Sequence, residues 1–149
     1  MAAAIQTKTN ELFAVSRHAM KFSRFGEIRT LSRDRMIALR QELRRLGLGT
    51  GSPAVFIYTF ETNPHGGSRP ADGDFVLELA VPVTEEKAGL SAEFSYKRVP
   101  EFRYIALRTK DFSQWTTIRS TAEQNGLKRT LVEREVYLRD TVELQEGVE

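Results

Sequence analysis

Glu135 and Tyr137 stand two residues apart in TLVEREVYLRD, the run from Thr130 to Asp140. In an extended strand successive side chains point to opposite faces, so Leu131, Glu133, Glu135 and Tyr137 share one side, while Val132, Val136 and Leu138 share the other. A carboxylate set among aromatic rings suits a flat or cationic molecule, held by charge pairing, ring stacking and cation–π attraction. Walled in by rings and unpaired, such a carboxyl has a raised pKa, which a bound cation pulls back down. Glu135 is also the candidate catalytic residue, able to position or deprotonate water. With no basic partner in view, that catalytic case is the thinner of the two.

Other chemistries find less to work with. The chain has no cysteine, which removes disulfides, thiolate metal sites and cysteine nucleophiles together. Its two histidines, His18 and His65, are far apart, so no metal site is expected. They read as a polar residue in a strand and a surface histidine in a loop. No cofactor is expected. Twenty-two basic residues against 20 acidic ones leave a net charge of +2, a mixed surface despite a pI near 9.0. The 149 residues make one domain, with residues 1–10 and 143–149 expected to be loosely ordered. No apolar run approaches membrane length and the first residues lack a secretory pattern, so a cytoplasmic protein without a membrane partner is expected.

The elements that position these residues can be read in order. LFAVSRHAMKF (Leu12 to Phe22) alternates as a first strand. In SRDRMIALRQELRRL (Ser32 to Leu46), Met36, Leu39, Leu43 and Leu46 form one apolar helical stripe. Ser32 is placed to cap that helix and Gly47 to stop it. PAVFIYTF sets Phe56, Tyr58 and Phe60 on one face, and Glu61 to Asp74 reads as a long loop. FVLELAVPV (Phe75 to Val83) carries Glu78 on the face away from its apolar side, and a strand from Glu101 to Thr109 follows. The second helix runs from Lys110 to Gln124, with Asp111 and Gln114 in capping-box spacing and Phe112, Trp115, Ile118 and Ala122 on its inner stripe. Thr130 to Leu138 and a weak strand from Val142 end the chain.

Written this way, the chain is strand, helix, strand, strand, twice over, so that Tyr58 corresponds to Tyr137. The expected fold is α+β: two pseudo-twofold β-α-β-β repeats forming an antiparallel sheet, two helices on one face and a ligand groove on the other. Alternation lines that groove with Phe56, Tyr58, Phe60, Glu78, Tyr104, Glu135 and Tyr137. Trp115, on the helical stripe, can show one edge to it.

The order of elements, ELAVPV (Glu78 to Val83), VPEFRYIAL (Val99 to Leu107) and above all EVYL resemble the GyrI-like, or effector-binding, domain family. That family is found alone and at the C-terminus of multidrug-responsive regulators. The resemblance covers Leu12 to about Val142, and the family's Glu-x-Tyr falls on Glu135 and Tyr137. It implies a drug pocket for lipophilic cations, with Glu135 as its acid and Tyr137 and Tyr58 as its wall. Some stand-alone relatives open cyclopropane rings in alkylating natural products. The family's usual Gly before the second helix is replaced by Arg108-Thr109-Lys110-Asp111. No helix-turn-helix segment is present, so direct DNA reading is not implied.

Three functions remain open. The leading one is a stand-alone small-molecule binding protein, sensing or sequestering an aromatic, lipophilic, cationic ligand. The second is a hydrolase acting through Glu135. The third is a gyrase-inhibitor type of protein-interaction module, with Arg33, Arg40 and Arg44 or the Glu61 to Asp74 loop as its contact surface. Haem finds little support, since neither histidine has a clear pocket position.

Overall fold

The computed structural model describes residues 4–49, 51–61 and 74–149. His65 and nearly all of the long loop lie outside the described residues. Six strands, β1 (Gln6–Lys21), β2 (Val55–Phe60), β3 (Asp74–Pro82), β4 (Ser95–Thr109), β5 (Arg129–Tyr137) and β6 (Val142–Val148), close into an antiparallel barrel in the order β1-β3-β2-β5-β6-β4. Two helices, α1 (Ile28–Arg45) and α2 (Trp115–Gln124), complete an α+β fold whose elements run β-α-β-β twice. A barrel of this strand number has an interior just wide enough for side chains, so both helices lie outside it.

Closure corrects two expectations. The sheet is a barrel and not an open surface, so the face away from the helices is turned inward. It is filled by Phe13, Val15, Val55, Ile57, Ala80 and Val136. The chain ends are strand for most of their described length: Gln6 to Thr9 pair with β4, and β6 lies between β4 and β5 with Leu144, Gln145 and Glu146 almost fully buried. Closing the ring requires a partner for each flank of β4, and those two segments supply it.

The helices form where the apolar spacing demands. In α1, Leu39 and Leu43 are fully buried against Ala14 and Val81, each contributing roughly 1.5–3 kcal/mol by its burial. The helix begins earlier than expected, at Ile28 after a 3-10 turn over Phe22–Glu27, so Ser32 sits inside it and bonds back to the Arg29 carbonyl at 3.1 Å instead of capping. Gly47 ends it as expected, with φ of 73°. Asp111 caps the 3-10 turn Phe112–Gln114 that leads into α2, its carboxylate accepting from the Ser113 amide at 2.9 Å. α2 itself starts at Trp115 with no side-chain cap and buries Ile118 and Ala122 against Ile105, Val142 and Leu144.

α1 rests on β1 and β3, and α2 on β4 and β6. The central pair, β2 and β5, therefore runs as a strip between the two helices on the outer wall. At the start of β5, Leu131 has φ of 66° and the β5–β6 register shifts between Arg129 and Glu133, a bulge that lets the strand bend.

Candidate functional site

Register decides what shares the outer strip. Phe56 pairs with Glu135 and Tyr58 with Glu133 across the β2–β5 ladder. Glu133, Glu135 and Tyr137 pair in turn with Glu146, Leu144 and Val142 of β6. Paired residues share a face, so Phe56, Tyr58, Glu133, Glu135, Tyr137 and Glu146 all point to the helix-bearing side.

Glu135 is the centre of this group. It is 8% exposed. Its Oε1 accepts from the Tyr58 hydroxyl at 2.9 Å and the Tyr137 hydroxyl at 2.8 Å, and its Oε2 from Trp115 Nε1 at 3.5 Å. Among the described residues, no cation lies within ion-pair distance. Burial pushes its carboxyl above the ordinary value, the three donors pull it part of the way back, and the charge of Glu133 adds to the rise. The same burial and the neighbouring carboxylate raise both tyrosines, which stay neutral donors. Ring contacts complete the wall: Phe56 lies 4.6 Å from Tyr137 and Phe112 6.3 Å from it, centroid to centroid. Phe60 stacks on Tyr58 at 6.0 Å and belongs to the packed aromatic cluster with Phe22 and Phe75.

Trp115 reaches this site because it is the first residue of α2, and Arg119, one turn on, holds its ring. The Arg119 guanidinium lies 5.3 Å from the indole while its Nε is 3.3 Å from Glu133 Oε2. Glu133 and its cross-strand partner Glu146 are 4% and 1% exposed. Two buried carboxyls this close cannot both ionise cheaply, and burial with the Glu133 charge pushes Glu146 up to about 9. Arg129 stands 3.8 Å from Glu146.

Six of the eight residues read from the sequence as a ligand wall are thus on the outer, helix-bearing side: Phe56, Tyr58, Phe60, Trp115, Glu135 and Tyr137. This corrects the expected location, since the group lies on the strip between the helices and not on the face opposite them. The other two are on the inner face and are separated from it by the sheet. Glu78 pairs with Lys97 at 2.8 Å, and the Tyr104 hydroxyl meets Gln6 at 3.3 Å. His18 bonds Ser16 Oγ at 2.7 Å, and its pKa is lowered by burial and by Arg35. Of the arginine strip, Arg33 pairs with the adjacent Asp34 and Arg40 reaches the Ser52 carbonyl. Sequence reasoning passed over Arg119 and Glu146. The i, i+4 spacing of Trp115 and Arg119 was visible, whereas the Glu133–Glu146 pair depends on strand register.

At the level of sequence, no family model and no curated protein matches the chain. At the level of structure, the fold is shared with solved proteins of low sequence identity. It matches SAV2435, solved bound to tetraphenylphosphonium, with TM-score 0.68 and 11% identity over 100% of this chain and 94% of that one. It matches the EcmrR C-terminal domain with TM-score 0.67 and 16% identity over 99% and 96%. A hydrolase from Listeria innocua is similar at TM-score 0.56 and 14% identity, over 99% and 93%. These likenesses agree with the resemblance to GyrI-like effector-binding domains at the level of the fold. Among the described residues, no helix is long and apolar enough to cross a membrane.

Proposed function

We propose that this chain binds an aromatic, lipophilic cation on the strip between α1 and α2, for sensing or sequestration. Glu135 is the counter-charge, and Phe56, Tyr58, Tyr137 and Trp115 are the wall. The observation that carries this reading is Glu135 itself. A carboxyl buried to 8% exposure, with three neutral donors and no cation in reach among the described residues, supplies what a desolvated cation lacks elsewhere. SAV2435, of the same fold, was solved with such a cation. The proposal includes a pseudo-twofold relation between the two β-α-β-β units, supported by a strand order that reads the same when the halves are exchanged.

Trp115 is the only tryptophan, so its fluorescence reports directly on the site. Tetraphenylphosphonium is expected to give a saturable change that Glu135→Gln weakens at least about tenfold, the loss of one buried charge pairing. No saturable change with a panel of lipophilic cations, or an unaltered response in Glu135→Gln, removes the reading. The fold shared with the Listeria hydrolase keeps a second reading, hydrolysis through Glu135 of a strained ring such as a cyclopropane alkylator. Multiple turnovers per protein favour it, and stoichiometric binding does not.

A further inference from the structure

The barrel has a cleft of about 500 Å³ whose lining includes Ile57, Val99, Phe102, Val132 and Arg134. That volume falls in the range of small-molecule sites. It lies on the inner face, because Arg134 pairs in register with Ile57 and Gln145, on the opposite side of β5 from Glu135.

Arg134 is 2% exposed, and its environment is specific. Its guanidinium lies 3.7 Å from the Phe102 ring centroid and 5.4 Å from that of Phe13, which fixes the plane of the group. Nη1 donates to both oxygens of Glu11, at 2.9 and 3.0 Å. Nε is buried with no partner among the described residues. The Nε and Nη2 protons of an arginine leave the group side by side, the edge that receives a carboxylate through two parallel bonds. Pairing with Glu11 alone uses only Nη1 and leaves a buried donor unmatched, which is costly. The rim charges are mixed: Lys97 and Arg98 are held by Glu78 and Glu86, both at 2.8 Å. Glu101, Arg103 and Glu149 also line the cleft, and its buried donor without a partner among the described residues is Arg134 Nε.

We propose that this cleft is a second ligand site, selective for an amphipathic monocarboxylate whose acid group meets Arg134 and whose apolar body lies against Ile57, Val99, Val132 and Phe102. Its polarity is the reverse of the Glu135 site, and the two are separated by the sheet, so occupancy of one does not require the other.

Calorimetric titration of the full chain with 2-naphthoate, beside its methyl ester, tests this. Saturable one-to-one binding of the acid is expected, with the ester at least about tenfold weaker, because the ester lacks the charge that the fork recognises. Arg134→Lys keeps a cation but loses the planar fork, and about tenfold weaker binding is expected there too. If that variant does not fold, Val99→Trp, which fills the cleft, decides by the same readout. Glu135→Gln, altered only at the other site, should bind naphthoate as the parent does. The proposal is overturned by no saturable binding, by equal binding of acid and ester, by unchanged affinity in Val99→Trp, or by loss in Glu135→Gln.

Discussion

Tyr58 reaches diagonally across the β2–β5 ladder to place its hydroxyl 2.9 Å from Glu135 Oε1, the oxygen that Tyr137 holds at 2.8 Å. Two phenols on one carboxylate oxygen stabilise the charged form, while burial opposes it, and burial is the larger effect. Glu135 is therefore poised to take up or release a proton according to what lies beside it.

A permanent cation such as tetraphenylphosphonium pairs only with the ionised carboxylate. Its apparent affinity should rise with pH, by at most about tenfold per unit for one proton, and level off once free Glu135 is ionised. Tyr58→Phe removes a donor to the carboxylate and should move that plateau to higher pH. Glu135→Gln should abolish the slope. Fluorescence titrations across the pH range check all three, and a pH-independent affinity in the parent protein contradicts the assignment.

Stability should fall as pH rises, the reverse of the usual carboxylate behaviour. Glu146 is raised from 4.5 to about 9, and Glu135 is raised in the same direction. Between the unfolded and folded values the native state holds more protons than the unfolded one, so the slope of unfolding free energy against pH is negative, at most about 1.4 kcal/mol per unit per group. For Glu146 that window runs from about 4.5 to 9. Urea unfolding at several pH values should show the decline, and Glu146→Gln, which keeps the amide as a permanent donor, should flatten it.

Arg119 joins the indole of Trp115 to the carboxylate of Glu133, at 5.3 and 3.3 Å. Arg119→Met keeps the apolar stem but leaves Glu133 without that cation. A loss of about 3 kcal/mol is expected, as for other broken buried pairs. The emission of Trp115 should also shift, because its ring loses the charge on its face. An unchanged spectrum would falsify the positioning role even if stability fell.

Gly147 has no room for a side chain. A Cβ there would stand 2.8 Å from the Val132 carbonyl oxygen and 3.1 Å from the Phe102 ring. Since the first of these is backbone, Gly147→Ala must displace β5 or β6, and about 1–3 kcal/mol of destabilisation is expected in denaturant unfolding.

The sequence carried the elements well where one periodicity ran uninterrupted. Leu39 and Leu43 in α1, Ile118 and Ala122 in α2, and the left-handed Gly47 at the end of α1 all stand where the spacing puts them. Alternation also sorted Glu135 and Tyr137 onto one face of β5. It could not say which face the helices cover, because both faces of β2 are apolar: Ile57 packs inward and Tyr58 outward, each almost fully buried. The placement of Glu78 and Tyr104 away from Glu135 follows from cross-strand register, which a single strand does not encode. Ring closure through the polar stretch Gln6 to Thr9 was hidden for the same kind of reason, since exposed residues supply backbone pairing without a hydrophobic signature.

Closure also limits how this molecule can meet others. Along β2, β3, β5 and β6 most described residues pair on both flanks, which leaves little backbone ladder there for an extended peptide to join, whereas residues 17–21 of β1 and 95–103 of β4 pair on at most one flank. Away from those two segments, a macromolecular partner would recognise side chains, on the helices or at the barrel ends. Surface substitutions on α1 are then the direct way to ask whether such a partner exists.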